Sequence, residues 1–213
     1  MKTKNLAFLL CAMSVCITSY ASADVSMKED NVHVRTWNKF AADCLALNKQ
    51  LLAQIPHTEK TSLGGYAGMP EFYKEVTYYD KRNNKLISRV QWEREDPEQL
   101  HTIEVYVRDK QGRVIRDYTA AYLPKYHNAP TQTLLSFHTY NGDLHAFRTF
   151  DATGDRIVER CTGTFKGKDV NMLLDEDEIY AAIEGRSEVM EQADYQACFA
   201  GMPDKAGKYL TPQ

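Results

Sequence analysis

The sequence lacks the compositional features that are typical of collagen-like, low-complexity or nucleic-acid-binding chains. Its 213 residues include only 11 Gly and 7 Pro, too few for a collagen-like or low-complexity chain. There is no excess of basic residues, and the net charge of −3 argues against a general nucleic-acid binder. Hydrophobic residues make up 43% and aromatic residues 11%, which is enough apolar material for a folded core.

One apolar run approaches the length of a membrane span, and it lies at the N-terminus. Lys2 and Lys4 precede the stretch 6–17, which is shorter than the roughly 20 apolar residues that cross a bilayer. The small-x-small sequence 21–23 that follows is typical of a signal peptidase site. We therefore expect a signal peptide over 1–23 and a single exported domain over 24–213, periplasmic or extracellular, without a transmembrane anchor. An uncleaved N-terminal anchor is the alternative.

The cysteines are few, and their number is odd. Two of the 5 cysteines lie in the predicted leader, so Cys44, Cys161 and Cys198 remain after cleavage. An oxidising compartment favours one disulfide, and three pairings are open, as is a set of three free thiols. Because Cys44 lies on an apolar helical stripe with its own packing role, the pattern favours a Cys161–Cys198 bridge.

The period of the hydrophobic pattern changes along the chain. Three- and four-residue spacing predicts an N-terminal helix over 36–55, with Thr36 as its cap and Pro56 as its stop. The glycine-rich segment 63–70 has no periodic signal and is interpreted as a mobile loop. Helical spacing returns in a tail over 174–200, where Asp175 is expected to cap a helix.

Between the helical regions, alternation with a period of two predicts an antiparallel meander over 72–165. Asp-x-x-Gly/Asn and Asn-Gly sequences mark its hairpin turns. The expected strands number about seven and lie near 72–79, 85–93, 101–108, 113–122, 133–140, 143–150 and 155–165. The predicted fold class is therefore α+β, a meander covered by the N-terminal helix and the C-terminal helices. Whether the sheet closes into a barrel is left open.

One predicted hairpin brings two histidines together. If Asn141 and Gly142 form a two-residue turn, His138 lies directly opposite His145, with Asp143 on the same face. Two imidazoles and a carboxylate so placed can bind Zn²⁺ or Cu²⁺ or transfer protons. The alternative is a solvent-facing polar pair, because the other face of the hairpin is clearly apolar.

Tyrosines provide a second candidate site. Tyr118, Tyr122 and Tyr126 recur at four-residue spacing, and together with Tyr66 they are expected to line the rim of the sheet. Tyrosine rings offer apolar contact with one polar group, which suits small molecules, glycans or peptides. Ordinary half-buried strand aromatics are the alternative.

No sequence signature of catalysis is present: there is no Gly-x-Ser-x-Gly elbow, His-Glu-x-x-His helix or Cys-x-x-Cys pair. Four acidic residues beside Pro97 are interpreted as solvated charge in an exposed loop, namely Glu93, Glu95, Asp96 and Glu98. The pattern favours an exported binding or accessory protein whose partner is a small molecule, a glycan or a protein, rather than a nucleic acid. A metal-assisted enzyme built on the histidine pair and a structural component of an envelope assembly are the alternatives.

Overall fold

The structure, a computed structural model, describes residues 31–213. The predicted signal peptide over 1–23 lies outside the described residues. Within 31–213, none of the helices is both long enough and apolar enough to cross a membrane.

The first helix, α1, spans Val32–Gln54. The side chain of Asn31 caps it by accepting a hydrogen bond from the backbone N–H of His33, so the predicted cap at Thr36 is wrong. Thr36 lies inside the helix and donates its hydroxyl to the Val32 carbonyl. The helix ends before Pro56, as the sequence predicts, because proline has no N–H to continue the backbone pattern.

Nine antiparallel strands follow in one sheet, and each pairs with the next strand along the chain. Their bounds are β1 His57–Tyr66, β2 Met69–Asp80, β3 Leu86–Glu93, β4 Leu100–Arg108, β5 Val114–Ala121, β6 Gln132–Asn141, β7 Leu144–Asp151, β8 Arg156–Phe165 and β9 Lys168–Asp175. The antiparallel α+β class is confirmed, but the count of about seven strands is wrong. The sheet is also open rather than barrel-like, since β1 and β9 each pair with one neighbour within residues 31–213.

The two added strands are the edges of the sheet. The interpretation of 63–70 as a mobile loop is wrong: residues 63–66 end β1, residues 69–70 begin β2, and a two-residue turn joins them. β9 follows the last predicted strand. Nearly every residue of β1 is exposed, so the strand has no alternation of buried and exposed side chains. Period-two patterning detects a strand through its buried face, and β1 has little of one. β9 was not predicted although its buried residues Val170 and Leu174 alternate with exposed ones.

The helices cover one face of the sheet. This covered face carries buried apolar side chains from neighbouring strands, including Val90, Ile103, Tyr118 and Leu135, which form one core with α1. The opposite face, here called the open face, carries polar side chains at the alternate positions, with Asp117 and Ser136 as one cross-strand pair. Because side chains alternate along a strand, the residues that make the core also determine which residues reach the open face.

The C-terminal tail closes over the end of the core. Helix α2, Glu176–Ile183, begins with a capping box between Asp175 and Glu178, as predicted. After a 3-10 turn at Val189–Glu191, helix α3 spans Ala193–Phe199. A disulfide joins Cys161 on β8 to Cys198 on α3, the pair that the sequence favoured, while Cys44 is a buried free thiol.

Candidate functional sites on the open face and at the start of β6

The β6–β7 hairpin has a different register from the predicted one. Asn141 pairs with Leu144, so Gly142 and Asp143 are the central turn residues and His138 lies opposite Phe147. Gly142 has a φ of 62° whereas Asp143 does not have a positive φ, which is the pattern of a type II′ turn with glycine first. The prediction that His138 directly opposes His145 is therefore wrong, and Asp143 lies in the exposed turn.

The correct register still brings the two histidines into contact. A shift of two residues keeps each side chain on its original face, so His138 and His145 become diagonal neighbours on the open face. Their rings stack with centroids 5.3 Å apart, and His138 Nδ1 lies 3.1 Å from His145 Nε2. The other nitrogen of His138, Nε2, lies 2.5 Å from a carboxylate oxygen of Asp117 on β5. The acidic member of this group is thus Asp117 and not the predicted Asp143.

The hydrogen bonds assign the protons along this chain of three groups when both rings are neutral. An ionised Asp117 can only accept, so His138 carries its proton on Nε2 and donates it to the carboxylate. The lone pair on His138 Nδ1 then accepts a hydrogen bond from His145 Nε2–H. This leaves His145 Nδ1 as an acceptor. It has no hydrogen-bond partner within residues 31–213, and it is not one of the buried unpaired atoms there, so solvent reaches it.

Burial sets the protonation state of the terminal ring. Desolvation, with a smaller contribution from the positive charge of a protonated His138, lowers the pKa of His145 below its ordinary value of 6.5. Tyr140 lies flat against the same ring, with centroids 4.6 Å apart. The described part of the chain has no group of three or more His, Cys, Asp or Glu side chains placed to hold a metal ion. The arrangement therefore presents a neutral imidazole with a free lone pair.

A second feature lies at the start of β6, in the loop that enters it. Leu123, Pro124, Lys125 and Tyr126 form a tight turn closed by a 3.0 Å hydrogen bond from the Tyr126 N–H to the Leu123 carbonyl. Lys125 has a φ of 65°, a left-handed conformation that is costly for a residue with a Cβ. The turn places the side chains of Leu123 and Tyr126 side by side, both of them exposed.

A buried carboxylate holds this turn. Glu93, at the end of β3, accepts hydrogen bonds from the Lys125 N–H at 3.3 Å and from His127 Nε2 at 3.0 Å. Its side chain is almost fully enclosed, so the interpretation of Glu93 as solvated loop charge is wrong. The hydrogen bond from the Lys125 N–H to the buried Glu93 carboxylate therefore stabilises the strained backbone of Lys125.

The turn forms one wall of a cleft of about 450 Å³, here called the groove. Its apolar lining consists of Trp37, Leu123, Tyr126, Ala129, Pro130 and Leu134. The polar side chains in the wall are engaged elsewhere. Asp151 accepts from the N–H groups of its own hairpin turn, and Thr131 donates to the Ala121 carbonyl. The groove therefore offers mainly apolar contact to a ligand.

The four tyrosines predicted as ligand-binding residues are not brought together. Tyr118 is fully buried in the core, so it is not at a rim. Tyr122 is half-buried and donates its hydroxyl to Asn38 of α1 at 3.0 Å. Tyr66 is exposed at the end of β1, where its hydroxyl lies 2.5 Å from His101 Nε2. Of the four, Tyr126 alone lines the groove.

Sequence reasoning missed the partners that complete both features. Asp117 is a polar residue at an outward position of a strand, which is a weak signal by itself. Its distance to His138 depends on the β5–β6 register, which follows a loop too long for turn rules to fix. Trp37 lies on α1 and Tyr126 lies in the 122–131 loop, so the path of that loop, which no turn rule determines, brings both side chains into the lining of one groove.

Comparisons with known proteins add little to this geometry. No protein-family model matches the chain, and no match is found among curated proteins. Among solved structures, the chain is similar to a crystal structure of a DUF3836 family protein from Parabacteroides distasonis, with 12% identity and a TM-score of 0.21. That alignment covers 62% of this chain and 98% of the other. A likeness at this level supports no conclusion about fold or function.

Proposed function

We propose that this chain is an exported binding protein that holds a small, mainly apolar ligand in the groove. The observation that carries the proposal is the pair of exposed apolar side chains, Leu123 and Tyr126, presented by a strained turn beside Trp37. Strained backbone and exposed apolar surface both cost stability, and they persist where a function requires them. The Cys161–Cys198 disulfide is consistent with export, because such bonds persist in oxidising compartments.

The size and chemistry of the groove favour one class of ligand. About 450 Å³ lies in the range of roughly 300–1,000 Å³ that is common for small-molecule sites. A glycan would require free hydrogen-bonding groups, but the carboxylate of Asp151 and the hydroxyls of Thr131 and Thr133 are already bonded to backbone. An apolar or aromatic body that stacks on Trp37 and Tyr126 fits better.

A fluorescence titration tests the proposal with N-phenyl-1-naphthylamine as the probe. We expect saturable binding that Leu123→Ser weakens about fivefold, since a half-exposed leucine contributes about 1 kcal/mol when a ligand covers it. Leu63→Ser is the matched control, because Leu63 on β1 is 51% exposed, against 50% for Leu123, and lies away from the groove. Equal weakening by both substitutions, or no saturable binding, would contradict the proposal.

The same titration also uses the two tryptophans of the chain. Both pack against the core, but Trp37 also lines the groove and Trp92 does not. Because energy transfer to a bound naphthylamine falls steeply with distance, ligand binding should quench the emission of a Trp92→Phe variant more strongly than that of a Trp37→Phe variant. The reverse result would place the ligand elsewhere on the protein.

A further inference from the structure

The open face carries a chemical arrangement that the groove does not use. The groove lies at the start of β6, whereas His138 lies near the end of that strand. Asp117, His138 and His145 form an unbroken hydrogen-bonded chain that ends at a solvent-accessible nitrogen. A carboxylate that orients one imidazole, which in turn orients another, is a means of fixing a tautomer and stabilising positive charge on the rings.

The residues around His145 include two polar groups without internal partners. Thr162 on β8 pairs directly with His145, and Arg160 pairs with Phe147, so Arg160 lies diagonal to His145 on the same face. Within residues 31–213, neither the Thr162 hydroxyl nor the Arg160 guanidinium makes a hydrogen bond or an ion pair. A free arginine on a sheet face is suited to a carboxylate or another anionic group.

We propose that the open face hydrolyses small carboxylic esters that bear an anionic group, with His145 Nδ1 as the attacking atom. His145 is the catalytic residue, because its nitrogen touches the reacting carbonyl. His138 and Asp117 are positioning residues that act through it. Arg160 binds the anionic group of the ester, and the Thr162 hydroxyl donates to the carbonyl oxygen.

The reaction balances with water as the only co-substrate. His145 Nδ1 attacks the ester carbonyl carbon, a nitrogen–carbon bond forms, and the carbon–oxygen bond to the alcohol breaks. The proton on His145 Nε2 passes to His138 Nδ1, where Asp117 stabilises the resulting imidazolium. Water then adds to the acyl carbon, the nitrogen–carbon bond breaks, and a carboxylic acid leaves. The proton returns along the same hydrogen bonds, and the departing alkoxide takes up one proton from the water consumed.

The test compares two chromogenic esters, neutral p-nitrophenyl acetate and anionic p-nitrophenyl hydrogen succinate. We expect His145→Gln to lower the rate with either ester by at least about 100-fold, because the variant loses the attacking nitrogen and with it the proton transfer to His138. His33→Gln is the matched control, because His33 is an exposed imidazole on α1 without a carboxylate partner, and its rate should not change. A wild-type rate no higher than that of free imidazole, or a rate unaffected by His145→Gln, would overturn the proposal.

Measurements of kcat, KM and the rate–pH profile distinguish a positioning role of Asp117 from a purely structural role. Asp117→Asn keeps an acceptor for His138 but removes the negative charge, so we expect kcat to fall with KM unchanged and the rate–pH profile to shift. A variant that is merely misfolded would change both constants without moving the profile. Retention of full kcat and an unshifted profile in Asp117→Asn would show that the carboxylate takes no part.

Substitution of Arg160 tests whether the substrate is an ester with an anionic group. Arg160→Gln should raise KM for the succinate ester about tenfold, the loss expected for one charged hydrogen bond, and leave the acetate ester unaffected. Since Arg160 is exposed, the substitution should not affect folding. Equal KM values for the two esters in the wild-type protein would overturn the assignment of an anionic substrate.

Discussion

A buried ion pair beneath the tail gives the sharpest stability prediction. Arg148 on β7 and Glu159 on β8 lie on the covered face with side chains 2% and 0% exposed, and Arg148 Nε lies 2.5 Å from Glu159 Oε1. Tyr195 donates its hydroxyl to the other oxygen of Glu159 at 2.7 Å, and Arg148 also reaches the Pro203 carbonyl at 2.9 Å. The network ties the C-terminal segment to the sheet.

The perturbation is Glu159→Gln, which keeps the volume and removes the charge. Breaking one partner of a buried pair costs about 3–5 kcal/mol, and we expect a value near the lower end. The reason is that Asp204 still contacts Arg148 at 2.8 Å, although the carboxylate of Asp204 is largely exposed. Urea unfolding measures the change. Glu159 also contacts Arg156 at 3.2 Å, but Arg156 keeps its hydrogen bond to the Asp204 carbonyl in either variant. The double variant Arg148→Met/Glu159→Gln should therefore be no less stable than Glu159→Gln alone, because the buried Arg148 charge is then gone.

The control is an exposed pair of similar length, Arg186 and Glu184, joined at 2.7 Å. Glu184→Gln should change the free energy of unfolding by less than about 1 kcal/mol, since exposed pairs contribute little. Additive costs for Arg148→Met and Glu159→Gln would refute the reasoning. So would a loss in Glu159→Gln as small as the one in the exposed control.

Three further outcomes follow from the structure. Replacing Cys161 and Cys198 together with alanine should lower the free energy of unfolding by about 4 kcal/mol in urea, since the bridge closes a separation of 37 residues; a loss below about 1 kcal/mol would contradict this. The pKa of His145 is lowered by burial, so the unfolded chain binds more protons near pH 6; stability should fall as pH drops from about 7.5 to about 5, and less steeply in His145→Gln. Equal slopes would exclude this contribution. Asp175→Ala should cost about 1 kcal/mol through loss of the α2 cap, measurable by thermal unfolding, whereas an unchanged midpoint would refute it.

The sequence predicted the middle of the sheet well because those strands have two different faces. The seven predicted strands match β2 to β8 within a few residues, since buried residues such as Ile103 and Val105 alternate with polar ones. β1 was not predicted because an edge strand with little burial carries no such pattern. β9 does alternate, with Val170 and Leu174 buried, and it lies between the predicted meander and the predicted helical tail, where no strand was expected. The Cys161–Cys198 pair followed from the packing of Cys44 in the core.

The candidate sites were predicted less well, because each depends on long-range geometry. Local turn rules allow either Asn141-Gly142 or Gly142-Asp143 as the two central residues of the β6–β7 turn. A tertiary contact of Asn141 is consistent with Gly142-Asp143, the pair that the structure has. The Asn141 side chain donates to the Ala197 and Cys198 carbonyls of α3, which holds Asn141 in the strand. A shift of two residues leaves each side chain on the same face of the sheet. The contact between the two histidines was therefore predicted on the correct face, but the carboxylate beside them was predicted to be Asp143 and is Asp117.

The proton positions in the Asp117–His138–His145 chain are the most direct test of the account. Nitrogen-15 labelling of the 6 histidines and long-range proton–nitrogen NMR report the tautomer of each ring. Near neutral pH we expect His145 to carry its proton on Nε2 with Nδ1 unprotonated, and Asp117→Asn to shift the signals of His138 and His145 but not those of His33. A proton on His145 Nδ1 would contradict it, because the nitrogen that faces solvent would then be a donor with no lone pair to offer.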